Sequence, residues 1–159
     1  MISQDGIDLI KFFEGCKLTS YKDTNGILTI GYGHTMTVSA NQTITEETAD
    51  EYLLSDLHNA ESRVRLCLPQ VELKQCELDS LISQAYNITS FPTLAKHLRV
   101  EGREIYLQKL LLYCHDQQGH LLPGLQIRRK AEKMLFEGQT WQQILPQVLK
   151  MQNVKRRSS

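Results

Sequence analysis

The sequence predicts an α+β protein, mostly α-helical, in which a small β-hairpin region near the N-terminus is joined by a long helix to a larger helical lobe. Three observations predict it. Residues 17–34 are rich in Thr, Tyr, Ile and Gly around Asn25-Gly26, which signals a hairpin with a tight turn. Ala49, Tyr52, Leu53, Leu57, Ala60, Val64 and Cys67 form one apolar stripe of helical period, closed by Pro69. Beyond Pro69 the helical period returns in short pieces punctuated by Asn87, Pro92 and Gly138.

Each element has its own justification. Ile7, Leu9, Ile10 and Phe13 recur at helical spacing between Ser3, a plausible cap, and Gly15, a natural stop. Thr43-Ile44-Thr45-Glu46 fits a capping box ahead of the long helix. Leu78, Leu81, Ile82 and Ala85 mark the next helix, which stops near Asn87. Further helices are expected over 92–101, 103–114, 124–137 and 140–151, the last short or kinked at Pro146. With 159 residues, 41% of them hydrophobic, the chain can bury one sizeable core. One domain over 1–151 is expected, with its β-containing part at about 15–45, its connecting helix at about 45–68 and its helical lobe at about 70–151. A basic flexible tail, 152–159, follows.

The formal net charge is zero, but its distribution is uneven: residues 1–80 carry six Lys/Arg against thirteen Asp/Glu, and residues 81–159 carry twelve against five. A basic second half suits a polyanionic ligand, and two solvated, mutually attracting faces explain the pattern equally well. No apolar run approaches the ~20 residues of a membrane span. The start, Met1-Ile2-Ser3-Gln4-Asp5, has neither a basic region nor an apolar one, so cytosolic synthesis without a signal peptide is expected. Cys16, Cys67, Cys76 and Cys114 show no ligand-pair spacing, and the Cys114-His115…His120 stretch lacks a second pair. No metal or cofactor is expected, and no nucleic-acid-reading motif accompanies the basic tail.

Glycosidic hydrolysis needs one carboxylic acid to protonate the leaving oxygen and a group across the sugar to position water or stabilise positive charge. Glu14 follows the apolar pair Phe12-Phe13, a wall that would favour its neutral form by desolvation. Asp23 and Thr29 flank the Asn25-Gly26 turn, and a hairpin folded on the first helix would bring all three into one cleft. Taken alone, each has an ordinary structural explanation as a helix end, a turn residue and a strand former.

The spacing Glu14, eight residues, Asp23, five residues, Thr29 resembles the E-x8-D-x5-T pattern of bacteriophage lysozymes, glycoside hydrolase family 24. Phe13-Glu14-Gly15, Tyr21-Lys22-Asp23, Gly26 and Thr29-Ile30-Gly31-Tyr32-Gly33-His34-Thr35 are similar to the family signature almost throughout. Gly124-Leu125-Gln126-Ile127-Arg128-Arg129-Lys130-Ala131-Glu132 resembles its later helical block, and Leu78 to Asn87 is a weaker third match. The resemblance, covering about residues 3–145, implies a lysozyme-like fold and a muramidase cutting the β-1,4 bond between N-acetylmuramic acid and N-acetylglucosamine. Glu14 would be its general acid, Asp23 would stabilise the oxocarbenium-like sugar and orient water, and Thr29 would be a second water contact. Inversion is implied, which needs the carboxyls roughly 6.5–9.5 Å apart. His34 would pair with Asp56 on the long helix. Arg128 and Arg129 would bind peptide carboxylates or muramyl lactyl groups, with pairing to Glu132 as the competing account. Tyr32 would stack on a sugar or simply pack in the strand.

Peptidoglycan glycan strands are thus the expected partner of a monomer acting on the periplasmic wall. Delivery would fall to a holin or a secretion machine, the latter with an immunity protein. A lytic transglycosylase and a non-catalytic wall-binding or tail-structural module are the alternatives. Thr89 stands where the family often has Gly, Tyr113-Cys114 where Trp is common, and the chain is neutral where many members are basic. These departures bear on the substrate-binding half more than on the acid.

Overall fold

The structure, a computed structural model, describes residues 1–158. Seven helices and one two-stranded antiparallel sheet follow in the order α1 (Gln4–Glu14), β1 (Lys17–Lys22), β2 (Leu28–Gly31), α2 (Glu46–Cys67), α3 (Gln75–Asn87), α4 (Phe91–Glu101), α5 (Arg103–Leu110), α6 (Pro123–Phe136) and α7 (Trp141–Ser158). The α+β class read from the sequence is the one observed.

At the centre lies α3, where every residue from Glu77 to Ala85 is buried. Its apolar residues Leu78, Leu81, Ile82 and Ala85 join the core formed with α2, α4, α5 and α6. Its polar residues are buried as well, and each has a partner, as burial requires. Ser80 Oγ donates to Glu132 O at 2.7 Å, Ser83 Oγ donates to Glu132 Oε1 at 2.7 Å, and Tyr106 Oη donates to Gln84 Oε1. Asp79 reaches the other way, accepting from Ser3 N at 2.8 Å and from Ser3 Oγ. Ser3 therefore precedes α1 without capping it through its side chain; its hydroxyl is spent on anchoring α1 to α3. Asp5 in the first turn of α1 accepts from Trp141 N at 2.9 Å, and the Trp141 ring lies 5.3 Å from that of Phe12, so α7 is pinned to α1.

The long helix α2 turns Ala49, Leu53, Leu57, Ala60 and Val64 inward. Its N-cap is Thr45, whose Oγ1 accepts from Thr48 N at 3.2 Å, two residues later than the capping-box reading placed it. The hairpin also differs from expectation. In place of a two-residue Asn-Gly turn, residues 23–27 form a loop in which Asp23 Oδ1 accepts from Asn25 N at 2.8 Å and Ile27 N at 2.9 Å. That side-chain turn supplies the reversal, and only Gly26 needs positive φ, at 79°. Residues 42–44 pair along the far side of β1, through Ser20 N to Gln42 O and Ile44 N to Leu18 O.

Two helix ends also depart from the sequence reading. Helix α5 stops at Leu110 instead of 114, where the chain tightens into turns through Leu112 N to Lys109 O and Tyr113 N to Leu110 O. The basic tail expected to be flexible from 152 instead continues α7 to Ser158, with Pro146 accommodated inside the helix. Lys155 Nζ explains the continuation, donating to Pro123 O at 3.0 Å and Gln126 Oε1 at 2.9 Å.

Candidate active site

Helix α1 ends at Glu14, and Gly15 at φ 65° turns the chain into β1. The Glu14 carboxyl, 18% exposed, meets the helical lobe there: Arg128 Nη1 on α6 donates to Glu14 Oε1 at 2.6 Å. Arg128 is held from behind by Glu132 Oε1 at 3.2 Å and by Ser83 Oγ at 3.3 Å. Burial opposes the Arg128 charge, but the carboxylates of Glu14 and Glu132 outweigh it and raise the guanidinium pKa further. A buried carboxylate–guanidinium–carboxylate chain thus runs from the core of the lobe to the end of α1.

The other Glu14 oxygen, Oε2, faces Gly33. A Cβ at Gly33 would stand 3.2 Å from Glu14 Oε2 and 3.5 Å from Tyr86 Oη, and the residue has φ 86°. Glycine is required there twice, by backbone conformation and by close approach. Tyr86, on α3, donates to Tyr32 O at 2.5 Å, which fixes the backbone just before Gly33. Its phenol pKa lies far above the ordinary value, first through burial and then through the nearby carboxylates of Glu14 and Asp56, so it is a neutral donor. Two residues on, His34 N and O pair with Ile30, His34 Nδ1 lies 2.8 Å from Asp56 Oδ2 on α2, and the imidazole stacks on Tyr52 at 4.3 Å. The Gly-Tyr-Gly-His segment is therefore clamped to α2 and α3, and its second glycine forms the floor beside the acid.

A cavity of about 340 Å³ opens at this point, lined by Glu14, Gly33, Asp56, Asn59, Tyr86 and Asn87 among others. Asp23 and Thr29 are not part of its lining. Asp23 Oδ1 is engaged in its own loop, and Thr29, 4% exposed, donates through Oγ1 to Ile27 O at 2.9 Å. Both carboxylates nonetheless act on one neighbour: the Tyr21 phenol pKa is raised by burial, then by Glu14, then by Asp23. Tyr32 is half-buried, with Lys11 Nζ 5.3 Å from its ring centroid.

One sequence expectation is extended here and two are corrected. The Phe12-Phe13 pair is not the acid's only neighbour: both rings pack on Trp141, the Arg128 guanidinium stands 5.9 Å from the Phe13 ring centroid, and Glu14 bonds that guanidinium. Arg129 cannot be a direct substrate contact, since it is fully buried between Glu132 and Asn87. Arg128, 4% exposed in its side chain, has its donors committed to Glu14, Glu132 and Ser83, which makes it a holder of the acid and not a free clamp for peptide carboxylates. The residues that sequence reasoning missed are Gly33 as the acid's neighbour, Tyr86, and Asn87 at the cavity edge. Only the joint approach of α1, α3 and the β2–α2 loop reveals them.

A carboxyl at a helix end, held by a guanidinium, thus opens on a cavity between the hairpin side and a helical lobe. Residues 11–132 match the phage lysozyme family. An endolysin of Acyrthosiphon pisum secondary endosymbiont phage 1 is 36% identical over 143 residues, 86% of this chain and 97% of that protein. The solved endolysin from Escherichia coli O157:H7 phage FAHEc1 superposes with a TM-score of 0.76 at 32% identity, over 87% of this chain and 94% of that one. The muramidase domain of SpmX from Asticaccaulis excentricus does so with 0.79 at 29%, over 86% and 97%. Against the endolysin of Lactococcus phage c2, 34% identical, the chain spans 59% of the relative's length. The chain belongs to the phage lysozyme family. It has the lysozyme fold and is an endolysin-type enzyme of peptidoglycan lysis.

Proposed function

We propose that the protein is a muramidase that hydrolyses the β-1,4 bond between N-acetylmuramic acid and N-acetylglucosamine with Glu14 as general acid. One observation carries the reading: Arg128 occupies Glu14 Oε1, and Oε2 lies beside Gly33 where both residues line the cavity. Glu14, having taken up a proton from solvent on Oε2, then gives that proton to the departing sugar oxygen. Proton transfer leaves a carboxylate on Glu14, and Arg128 already faces it, so the guanidinium favours the charge as it develops. Asp23 lies outside the cavity lining with Oδ1 fixed in its loop, so it serves the oxocarbenium-like sugar and the attacking water only where the bound glycan extends to that loop. The Thr29 hydroxyl, its hydrogen spent on Ile27 O, contributes an acceptor to the same water. Inversion is the expected outcome.

The commitment of Asp23 and Thr29 to their own loop favours a second reading, lytic transglycosylation by Glu14 alone, which needs no water. Mass spectrometry of digested muropeptides separates the two: a reducing muramyl end means hydrolysis and an anhydro end means transglycosylation. The acid is tested by turbidity loss of outer-membrane-stripped Gram-negative walls, wild type beside Glu14→Gln. Clearing by wild type only supports the assignment, and equal clearing by both refutes it. If neither clears the walls while both bind them, the chain is a wall-binding module. The protein would reach the periplasmic wall through a holin or a secretion machine; among the described residues no helix is long and apolar enough to cross a membrane.

A further inference from the structure

Asn87, the last residue of α3, stands where two cavities meet. It lines the cavity beside Glu14 and also a neighbouring one of about 480 Å³, whose walls include Ile88, Leu112, Tyr113 and Leu125. The Asn87 amide is not free to choose its orientation. Arg129 Nη2 is bonded to Asn87 Oδ1, and a guanidinium carries donors only, so the atom facing Arg129 must be the amide oxygen. Arg129 is itself immobilised: it is fully buried, and its Nε lies 3.3 Å from Glu132 Oε2. The Asn87 NH2 group therefore points away from Arg129, and among the described residues it makes no hydrogen bond. A buried cation thus sets the polarity of an exposed amide at the edge of the catalytic cavity.

We propose that Asn87 is a specificity-determining residue that donates from Nδ2 to the acetamido carbonyl of a sugar beside the cleaved bond, with Arg129 as its positioning residue. The inference rests on the glycan reading of the cleft given above. An acetamido group fits both halves of the site. Its carbonyl is a neutral acceptor for a neutral donor, and its methyl finds Ile88, Leu112 and Leu125 in the adjoining cavity. A peptide carboxylate fits less well, because that cavity contributes Asp116 beside His115 and no Lys or Arg.

The test compares peptidoglycan walls with the same walls after chemical N-deacetylation. Wild type is expected to prefer N-acetylated walls by about tenfold in kcat/KM, the order of one hydrogen bond plus a methyl contact. Asn87→Asp keeps the shape but replaces the donor with an acceptor, and is expected to bring that ratio to about one or below, since deacetylated sugars carry ammonium groups. Arg129→Met, which frees the amide to rotate, should also collapse the ratio, and Arg129→Lys, which keeps a donor to Oδ1, should restore it. If the Arg129 variants do not fold, Asn87→Asp decides alone, with its melting temperature required to match wild type. A wild type without preference, or an Asn87→Asp protein that keeps it, overturns the inference. Co-sedimentation of Glu14→Gln with the two walls, with and without Asn87→Asp, gives the same ratio without turnover. An Asn87-dependent binding preference, together with a wild type that cleaves neither wall, sustains this inference while the muramidase reading falls. Cleavage without discrimination does the reverse.

Discussion

Gly33→Ala tests how closely the backbone of the β2–α2 loop sets the position of the acid. The new Cβ would sit 3.2 Å from Glu14 Oε2 and 3.5 Å from Tyr86 Oη, at a φ of 86°. The conformational penalty for alanine at positive φ is about 1–2 kcal/mol. For a domain of this size each kcal/mol moves Tm by about 2–4 °C, so a fall of about 2–8 °C is expected. The steric part is different in kind. A contact that close must relax by a few tenths of an ångström, and Arg128, held on three sides, leaves Glu14 little freedom to yield. Misplacing a catalytic group by ~1 Å costs ~10²-fold, so a shift of this size should lower kcat by about three- to tenfold. Gly138→Ala is the control: φ is 103°, and its Cβ would meet nothing within 4 Å. It should share the loss in Tm and keep full kcat in the wall-clearing assay. If Gly33→Ala loses Tm by a similar amount but keeps kcat within twofold, the close approach does not position Glu14. Unchanged Tm in both would refute the strain argument itself.

Arg128→Met leaves Glu14 without its cation and Glu132 with Arg129 alone. Breaking a buried pair in this way costs about 3–5 kcal/mol, and calorimetry should show Tm lower by about 6–20 °C. His34→Asn removes the 2.8 Å contact with Asp56 and the stacking on Tyr52. A loss of about 1–3 kcal/mol at neutral pH is expected, with kcat changed less than stability; a large kcat loss at unchanged Tm would place His34 in the chemistry. Glu77 is held below the ordinary glutamate range by its hydrogen bonds from Arg103, against the opposing effect of burial and with help from Lys74 N. A depressed pKa contributes stability that is present above the unfolded value of about 4.3 and is lost as pH falls through the folded value. Glu77→Gln should therefore lower Tm at neutral pH and flatten its decline below about pH 4.5; an unchanged slope refutes the assignment.

What the sequence made legible follows the physics of each signal. The stripe from Ala49 to Val64 faces a core on one side and water on the other, so its period shows α2 directly. Asn25-Gly26 located the reversal between β1 and β2 but not its form, because the turn is organised by the Asp23 side chain, and nothing in the residue types chooses an acceptor bonded two and four residues ahead over a two-residue turn. The extent of α7 was hidden for a related reason: Lys155 reads as tail charge until Pro123 O and Gln126 Oε1 are found beneath it. At the site, Glu14 and its spacing to Asp23 and Thr29 could be read along the chain. Its neighbours could not, since Arg128 is 114 residues away and Tyr86 reaches the loop from another helix.

The sequence placed an apolar pair before Glu14, and the structure adds a chain of polar contacts that reaches Glu14 from α3. The addition matters for how the site is built. A carboxyl tuned by a hydrophobic wall would depend on α1 alone, so the lobe could drift without consequence for the acid. Here Ser80 and Ser83 on α3 fix Glu132, Glu132 fixes Arg128, and Arg128 fixes Glu14 Oε1. Asp79, on the same helix, fixes the start of α1 through Ser3, and Tyr86 fixes the loop that carries Gly33. One helix thus positions the acid from its first turn, from its carboxylate and from the floor beneath it. Buried polar residues on α3 cost desolvation that an apolar helix would avoid, and an apolar α3 would pack the same core while leaving Glu14 to the rotamers of a helix end. Substituting Ser83 with Ala therefore separates the two roles: the core loses one hydroxyl, while Glu132 and Arg128 lose the partner that sets their register with the acid. Activity should fall by a larger factor than the change in stability alone would produce.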